Sequence, residues 1–429
     1  MKKTSILKLN ILILAPAFSA GLIFFGCGFF GRVPSSVEIN GIAVGGKSPQ
    51  SAVALVREAI VAELKQTGLT VVGDANEYRF TYPEISYKDN LQNLIKSVKK
   101  GKSYTAQVSY YLNGLSETVD IICNNESRQK VEPYAIFNSE GAPFTYFEGA
   151  DGCTADKNKL INDIKRSLSG GFEDVRVKTE TVKRQNDLRQ VRYDTRRLST
   201  FVTYFDGGNE TRSHNIRLAA GTINGSILKN GEVFSFNQTV GERTAKRGFQ
   251  PAKIIEKGEF VEGIGGGVCQ VSTTLYNAAL LCGCEICEYH PHSLSVSYVP
   301  PSCDAMVSGN YFDLKFKNVT GTTLYIRART GKNYVAFDVY GRGDGNEYFY
   351  NSEVTGTIPA PEEITEDYTL VKDGKDGTES AGYLTVKRKG SVIKRKLVRR
   401  DKYAPIKKIV LVSDTAEEEV DKNETARNG

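Results

Sequence analysis

Tryptophan is absent from the 429 residues, methionine occurs twice and histidine three times. A histidine-based site therefore has three sources: His214, His290 and His292. Eight cysteines in a chain this long are too few for a small disulfide-stapled scaffold. One-sided charge is also missing. Of 56 basic residues, Lys2, Lys3, Lys8 and Arg32 precede the first acidic residue, and the other 52 face 50 acidic ones. A domain committed to nucleic acid carries a basic face and a high pI, so no nucleic-acid partner is expected. Hydrophobic residues at 40% and charged residues at 25% exclude a largely disordered or collagen-like chain. At roughly 100–200 residues per domain, the length accommodates two to four domains.

Residues 9–30 read LNILILAPAFSAGLIFFGCGFF, a run of 22 without charge. As a helix this run crosses a hydrocarbon core of about 30 Å, and the lysines before it hold that end in the cytoplasm. The expectation is a single-pass anchor over residues 1–35 with the rest outside the cell. A signal peptide cut near Ser19-Ala20-Gly21 and a lipid-modified Cys27 are the alternatives. All three export the chain, and export permits disulfides.

Along the exported part, Val37, Ile39, Asn40-Gly41, Ile42 and Val44 read as short strands around a turn. Ser48 and Pro49 open a helix whose stripe is Val53, Val56, Ile60 and Leu64. Strands follow over 69–88, then a second helix on Leu91, Leu94, Ile95 and Val98 ended by Gly101. Thr154 caps a further helix carrying Leu160, Ile161, Ile164 and Leu168, closed by Gly170-Gly171. Residues 36–190 are thus α+β and carry nothing that reads as catalytic. Residues 350–412 read as a small all-β module, and the acidic stretch 413–429 as disordered.

The chemistry-bearing segment is GIGGGVCQVSTTLYNAALL, residues 263–281. Val271, Thr274, Leu275, Ala278 and Ala279 keep helical spacing, so a helix begins near Cys269. Gly265, Gly266 and Gly267 give a tight loop into it and room for a substrate against the backbone. A helix N-terminus favours a thiolate. Downstream lie His290, His292, Asp304 and Asp313. A cysteine nucleophile needs a base, itself oriented by a carboxylate or amide. His292 is preferred as base over His290, which precedes Pro291 in a bend, and Asp304 or Asp313 is the orienter. The backbone near Gln270 is the candidate oxyanion donor. Gly-rich entries also bind anions without chemistry, and cysteine is often an inert core residue. Cys282-x-Cys284-x-x-Cys287 with Cys303 fits no standard zinc spacing, which favours a local disulfide over a metal. No metal or cofactor is expected.

These residues carry a resemblance. NIRLAAGTINGSILKNGEVFSFNQTVGERTAKRGF (215–249), GIGGGVCQVSTTLYNAALL (263–281), HPHSLSVSYVPP (290–301) and DLKFKN (313–318) resemble a VanW domain over residues 198–345. That family is found in vancomycin-resistance clusters and on Gram-positive surfaces. The resemblance assigns family-pattern positions to Gly265, Gly267, Cys269, Gln270, Ser272, His292, Ser293, Tyr298 and Asp304. Two arginines of the pattern are absent, because Tyr289 and Ser302-Cys303 stand in their places. This removes bidentate carboxylate partners and implies a disulfide from Cys303 to Cys282, Cys284 or Cys287. INGIAVGG (39–46) is similar to the opening of a YoaR-like peptidoglycan-binding region, which places that region at 36–190. TVKRKGSVIKRKLVRRDKYAPIKKIVLV (385–412) resembles half of a five-glycine extracellular module, the G-five domain, which places it at 350–412.

The expected architecture is α+β and multidomain: transmembrane helix, peptidoglycan-binding-like region, VanW domain and all-β module. The expected role is a membrane-anchored envelope protein that binds peptidoglycan or another wall polymer. The first alternative is a cysteine peptidase or transpeptidase on wall peptides through Cys269 and His292. The second is a structural protein with Cys269 buried. The basic run reads either as a solvated strand face or as a wall-polymer contact through Lys387, Arg388, Lys389, Lys394 and Arg395.

Overall fold

A computed structural model describes residues 5–6, 31–256, 259–309, 311–365, 367–368 and 371–411. The predicted span 9–30 and the predicted disordered tail 413–429 lie outside the described residues. Among the described residues no helix is long and apolar enough to cross a membrane. Helices and strands are mixed throughout, in sheets of two to four strands.

The chain divides into two units, residues 1–132 with 148–186, and residues 133–147 with 187–429. In the first, Asn40 and Gly41 take φ of 51° and 75° and turn Glu38–Ile39 into Ile42–Ala43. The helix Pro49–Gln66 follows, with the Ser48 hydroxyl accepting the Ser51 N–H at 3.1 Å. Its buried stripe is the expected one. The predicted helix over 91–98 is only Leu91–Leu94. Asp89 accepts the Leu91 N–H at 3.0 Å, and the Lys99 N–H is taken by the Tyr104 hydroxyl at 2.9 Å, so the chain turns away. Thr154 is not a cap, because it pairs with Glu180 in the strand Gly152–Ala155. Asp156 caps the helix Lys157–Gly170 instead, accepting the Lys159 N–H at 2.9 Å. A further helix, Leu115–Glu126, starts after Gly114 without a side-chain cap. Its Val119 and Ile122 join Val56, Leu69, Tyr78, Ile85 and Ile164 in one core.

The second unit is built on a four-stranded antiparallel sheet. Its order is Arg196–Tyr204, Tyr334–Gly341, Leu324–Thr330, Ser226–Leu228. The helices Glu210–Ile223 and Val268–Leu281 pack on it. The helix Val268–Leu281 is buried almost all round, polar residues included. A smaller sheet (Val233–Ser235, Lys315–Lys317, Glu285–Glu288) flanks it. The aromatic hairpin Tyr134–Phe137 and Phe144–Phe147 belongs to this unit, where the Phe144 ring lies 5.2 Å from Tyr325 and 5.6 Å from Tyr340. The C-terminal module is all-β, with Gly377–Arg388 between Asn346–Ile358 and Ser391–Tyr403. A parallel pair, Glu362–Thr365 and Lys408–Leu411, completes it.

Candidate functional site

The glycine loop and the helix after it set the site. Gly265 and Gly267 have φ of +89° and +102°, a region that side chains disfavour. The helix starts at Val268, so Cys269 is its second residue. The first N–H groups of a helix have no intrahelical acceptor. Gln270 N–H is nonetheless engaged, by Gly267 O at 3.0 Å, so it is not the oxyanion donor the sequence suggested. Its side chain is committed as well: Nε2 donates to Thr203 and to Tyr204 O, and Oε1 accepts from Arg212 at 2.7 Å.

His292 and Asp304 are delivered by two irregular segments, joined where Met306 N–H donates to His290 O at 2.7 Å. The buried polar face of the helix Val268–Leu281 holds the second segment. Ser272 and Asn277 donate to Ala305 O and Cys303 O, and Thr273 accepts the Ala305 N–H at 2.9 Å. Ser272 is thus a support for the Asp304 segment. Asp304 Oδ2 accepts both from the His292 backbone N–H at 2.7 Å and from Nδ1–H at 2.6 Å. That pair of hydrogen bonds fixes ring and tautomer and leaves Nε2 for Cys269. The thiol donates to Val307 O at 3.4 Å and interacts electrostatically with the His292 ring. Cys269 is half-buried at the wall of the cavity, not sealed in the core.

The electrostatics follow from that geometry. Burial opposes a Cys269 thiolate, but the hydrogen bond and charge of His292 outweigh it, and the thiol falls below its ordinary value. Burial opposes charge on His292 too, yet Asp304 and Cys269 raise it to about 9. Asp304 stays ionised against burial because His292, Arg399 and Tyr403 all stabilise the anion. The three together can hold a thiolate–imidazolium pair at neutral pH.

The other candidates lie elsewhere. His290 meets Glu288 at 3.1 Å and leans on Phe312. Asp313 accepts from Ser235, Asn237 N–H and Leu314 N–H at 2.6–2.8 Å, and so anchors a short helix. His214 bonds Gly248 O. Ser293 is exposed, and its carbonyl accepts the Ala404 N–H. Tyr298 borders the cavity, and burial pushes its phenol up, so it keeps its proton. All seven described cysteines are free, which corrects the expected disulfide. Cys282 and Cys284 sulfurs are 3.4 Å apart, and Cys303 is separately buried.

In the basic run, Arg388 bonds Asn346, Arg395 pairs with Glu353 over the Tyr383 ring, and Lys387 sits over Phe349. Lys389 and Lys394 are exposed. One member of the run faces inward, a residue the sequence reading missed. Arg399 is 3% exposed and donates to Asp304 O at 2.5 Å and Asp401 at 2.6 Å, with Asp304 Oδ1 at 3.4 Å. Tyr403 donates to Asp304 Oδ1 at 2.6 Å and accepts the Ser302 N–H. Ser302 also bonds Asp401 and Ser380, and its carbonyl accepts from Tyr350. The Arg399 guanidinium lies 4.4 Å over the Tyr289 ring, so the C-terminal module brings a cation to this side of the site. Its signal was Arg399, Asp401 and Tyr403 at alternate positions of one strand, hence on one face.

The chain is similar to known proteins over part of its length. A family model described as VanW like protein matches residues 211–340. The Uncharacterized protein YoaR of Bacillus subtilis (strain 168) is 47% identical over 135 residues, 32% of this chain and 45% of that protein. The Vancomycin B-type resistance protein VanW of Enterococcus faecalis (strain ATCC 700802 / V583) is 31% identical over 122 residues, 27% and 44% respectively. The chain thus spans less than half the length of these curated relatives. Two solved structures, an IgA1 protease G5 domain and HP0197-G5, match 15% and 16% of this chain and 88% and 95% of theirs. Their identities are 24% and 21%, with TM-scores of 0.12 and 0.10. Residues 211–340, which hold Cys269, His292 and Asp304, are thus similar to the VanW family.

Proposed function

We propose that the protein is a cysteine acyl-transfer enzyme of the cell envelope, a peptidase or transpeptidase acting on wall peptides. The observation that carries this reading is the chain of contacts from Cys269 through His292 to Asp304, at the wall of a cavity of about 630 Å³. The export-type N-terminus and the kinship with a resistance protein support the envelope setting.

The Cys269 thiolate attacks an acyl carbonyl, forming the S–C bond, and the C–N bond then breaks as His292 Nε2 gives its proton to the leaving amine. Water or an acceptor amine next attacks the thioester. His292 takes its proton, and the thiolate leaves. Asp304 keeps Nδ1–H in place through both steps and stays ionised. Tyr298, which keeps its proton, borders the space where charge develops on the carbonyl oxygen.

Mixed muropeptides incubated with wild type and with Cys269→Ala test the reading. New masses with wild type alone are expected, and identical mass spectra overturn it. Wall-polymer binding is a second reading, favoured by the exposed cations Lys389 and Lys394 on the last hairpin. Co-sedimentation with sacculi that fades with added salt is its expected signature.

A further inference from the structure

The cavity in front of Cys269 is lined by Arg212, Arg243, Lys253 and Lys375. Asp206 is the carboxylate among its lining residues, and Asp206 already accepts the Gly208 N–H at 2.8 Å. The two arginines are half-buried, and each guanidinium is held by a neutral amide. Arg212 Nη2 donates to Gln270 Oε1 at 2.7 Å, and Arg243 Nη2 donates to Asn237 Oδ1 at 2.5 Å. Neither has a carboxylate partner among the described residues. Burial lowers the pKa of both and is offset only in part, by Tyr298 and Cys269 at Arg212 and by Cys269 and Asp313 at Arg243, so each charge stands partly desolvated. A partly desolvated cation is costly unless something anionic completes it.

The glycine loop explains how they reach the thiol. A Cβ at Gly265 would stand 3.1 Å from Arg243 Cβ, and one at Gly267 would stand 3.1 Å from Arg212 Cγ. The bare backbone therefore lets one arginine stem pass on each side of the turn that presents Cys269. Gln270 is the positioning residue for Arg212.

We propose that Arg212 and Arg243 form a carboxylate subsite, so that the acyl substrate of Cys269 carries a carboxylate next to the bond it breaks. This rests on the acyl-transfer reading. The carboxylate has two sources, the C-terminal carboxylate of the leaving residue or an acidic side chain. A guanidinium pair suits either, because each offers fork-shaped donors to two oxygens.

The test uses two alkylating probes that differ in charge, iodoacetate and iodoacetamide, with Cys269 labelling followed by peptide mapping. The readout is the ratio of the two rates, which cancels changes in thiolate fraction. In wild type the ratio should exceed that of the exposed Cys287 in the same chain by about tenfold. Arg212→Gln and Arg243→Gln, tested separately, should each lower it markedly, and Arg212→Lys should restore part of it. A reactive Cys269 with the same ratio as Cys287 overturns the subsite and leaves the acyl-transfer reading standing. A Cys269 unreactive to both probes overturns the acyl-transfer reading and the subsite with it. Protection against iodoacetamide then separates the sources. Dipeptides with a free C-terminus protecting better than amidated ones point to a terminal carboxylate. Glutamyl peptides protecting better than glutaminyl ones, both amidated, point to a side chain. Protection by neither kind overturns the proposal.

Discussion

Tyr403→Phe removes one oxygen from a buried network and leaves the ring. Tyr403 is 1% exposed, and its hydroxyl donates to Asp304 Oδ1 at 2.6 Å while accepting the Ser302 N–H at 2.7 Å. A hydrogen bond to a charged group is worth about 1.5–3 kcal/mol. At about 1.4 kcal/mol per unit, its loss lifts the Asp304 carboxyl by roughly one to two pH units. Asp304 remains ionised at neutral pH but holds the His292 imidazolium less well. Passed on through His292, the expected rise in the Cys269 titration midpoint is about 0.5–1 unit. The stranded Ser302 N–H also costs about 1–3 kcal/mol of stability. The assay is iodoacetamide labelling of Cys269 across pH 5–10, read by peptide mapping, with His292→Ala as the reference for full loss. A Tyr403→Phe midpoint equal to wild type, while His292→Ala moves it upward, refutes the argument that the C-terminal module tunes the thiol.

Wild-type Cys269 should label below the free-thiol value of about 8.5. Its pairing with imidazolium should fail as pH rises through about 9, where His292 loses its proton. Gly267→Ala should destabilise the second unit by about 1–3 kcal/mol in urea unfolding, because φ is +102° and the new Cβ meets Ile216 Cγ1 at 2.9 Å. Cys287 should label in the native protein, whereas Cys282, Cys284 and Cys303 should label only on unfolding, since they are buried and burial pushes Cys303 up to about 11. In the first unit Glu126 accepts from Ala75 N–H, Asn76 and Tyr78 at 2.9–3.0 Å, which outweighs burial and holds its carboxyl below the ordinary value. A folded value below the unfolded one adds stability above about pH 4.5 that is lost as pH falls through the folded value. Glu126→Gln should therefore flatten the acid limb of that unit's unfolding curve.

Local signals were legible where neighbours in sequence decide the conformation. Ser48-Pro49, Asn40-Gly41 and the glycines before Cys269 each act on the next few residues, and the structure places them as expected. Asp304 and Asp313 could not be separated by spacing, because both follow His292 closely. The difference is made by Thr273 and Asn277 on the helix, which clasp the 303–305 segment and not residue 313. Arg399 was harder still. It reaches Asp304 across 95 residues, and in sequence it is one cation among many. Arg212 and Arg243 come from two further segments, so the cavity that joins them exists only in three dimensions.

The strand Ser391–Tyr403 of the C-terminal module gives the molecule an order of events. Cys269 and His292 are made long before Arg399 and Tyr403. Until residues 399–403 are in place, Asp304 lacks two of the groups that, with His292, stabilise its anion in the folded site. The pair formed by Cys269 and His292 therefore has its full set of supports only once that strand has folded against residues 302–304.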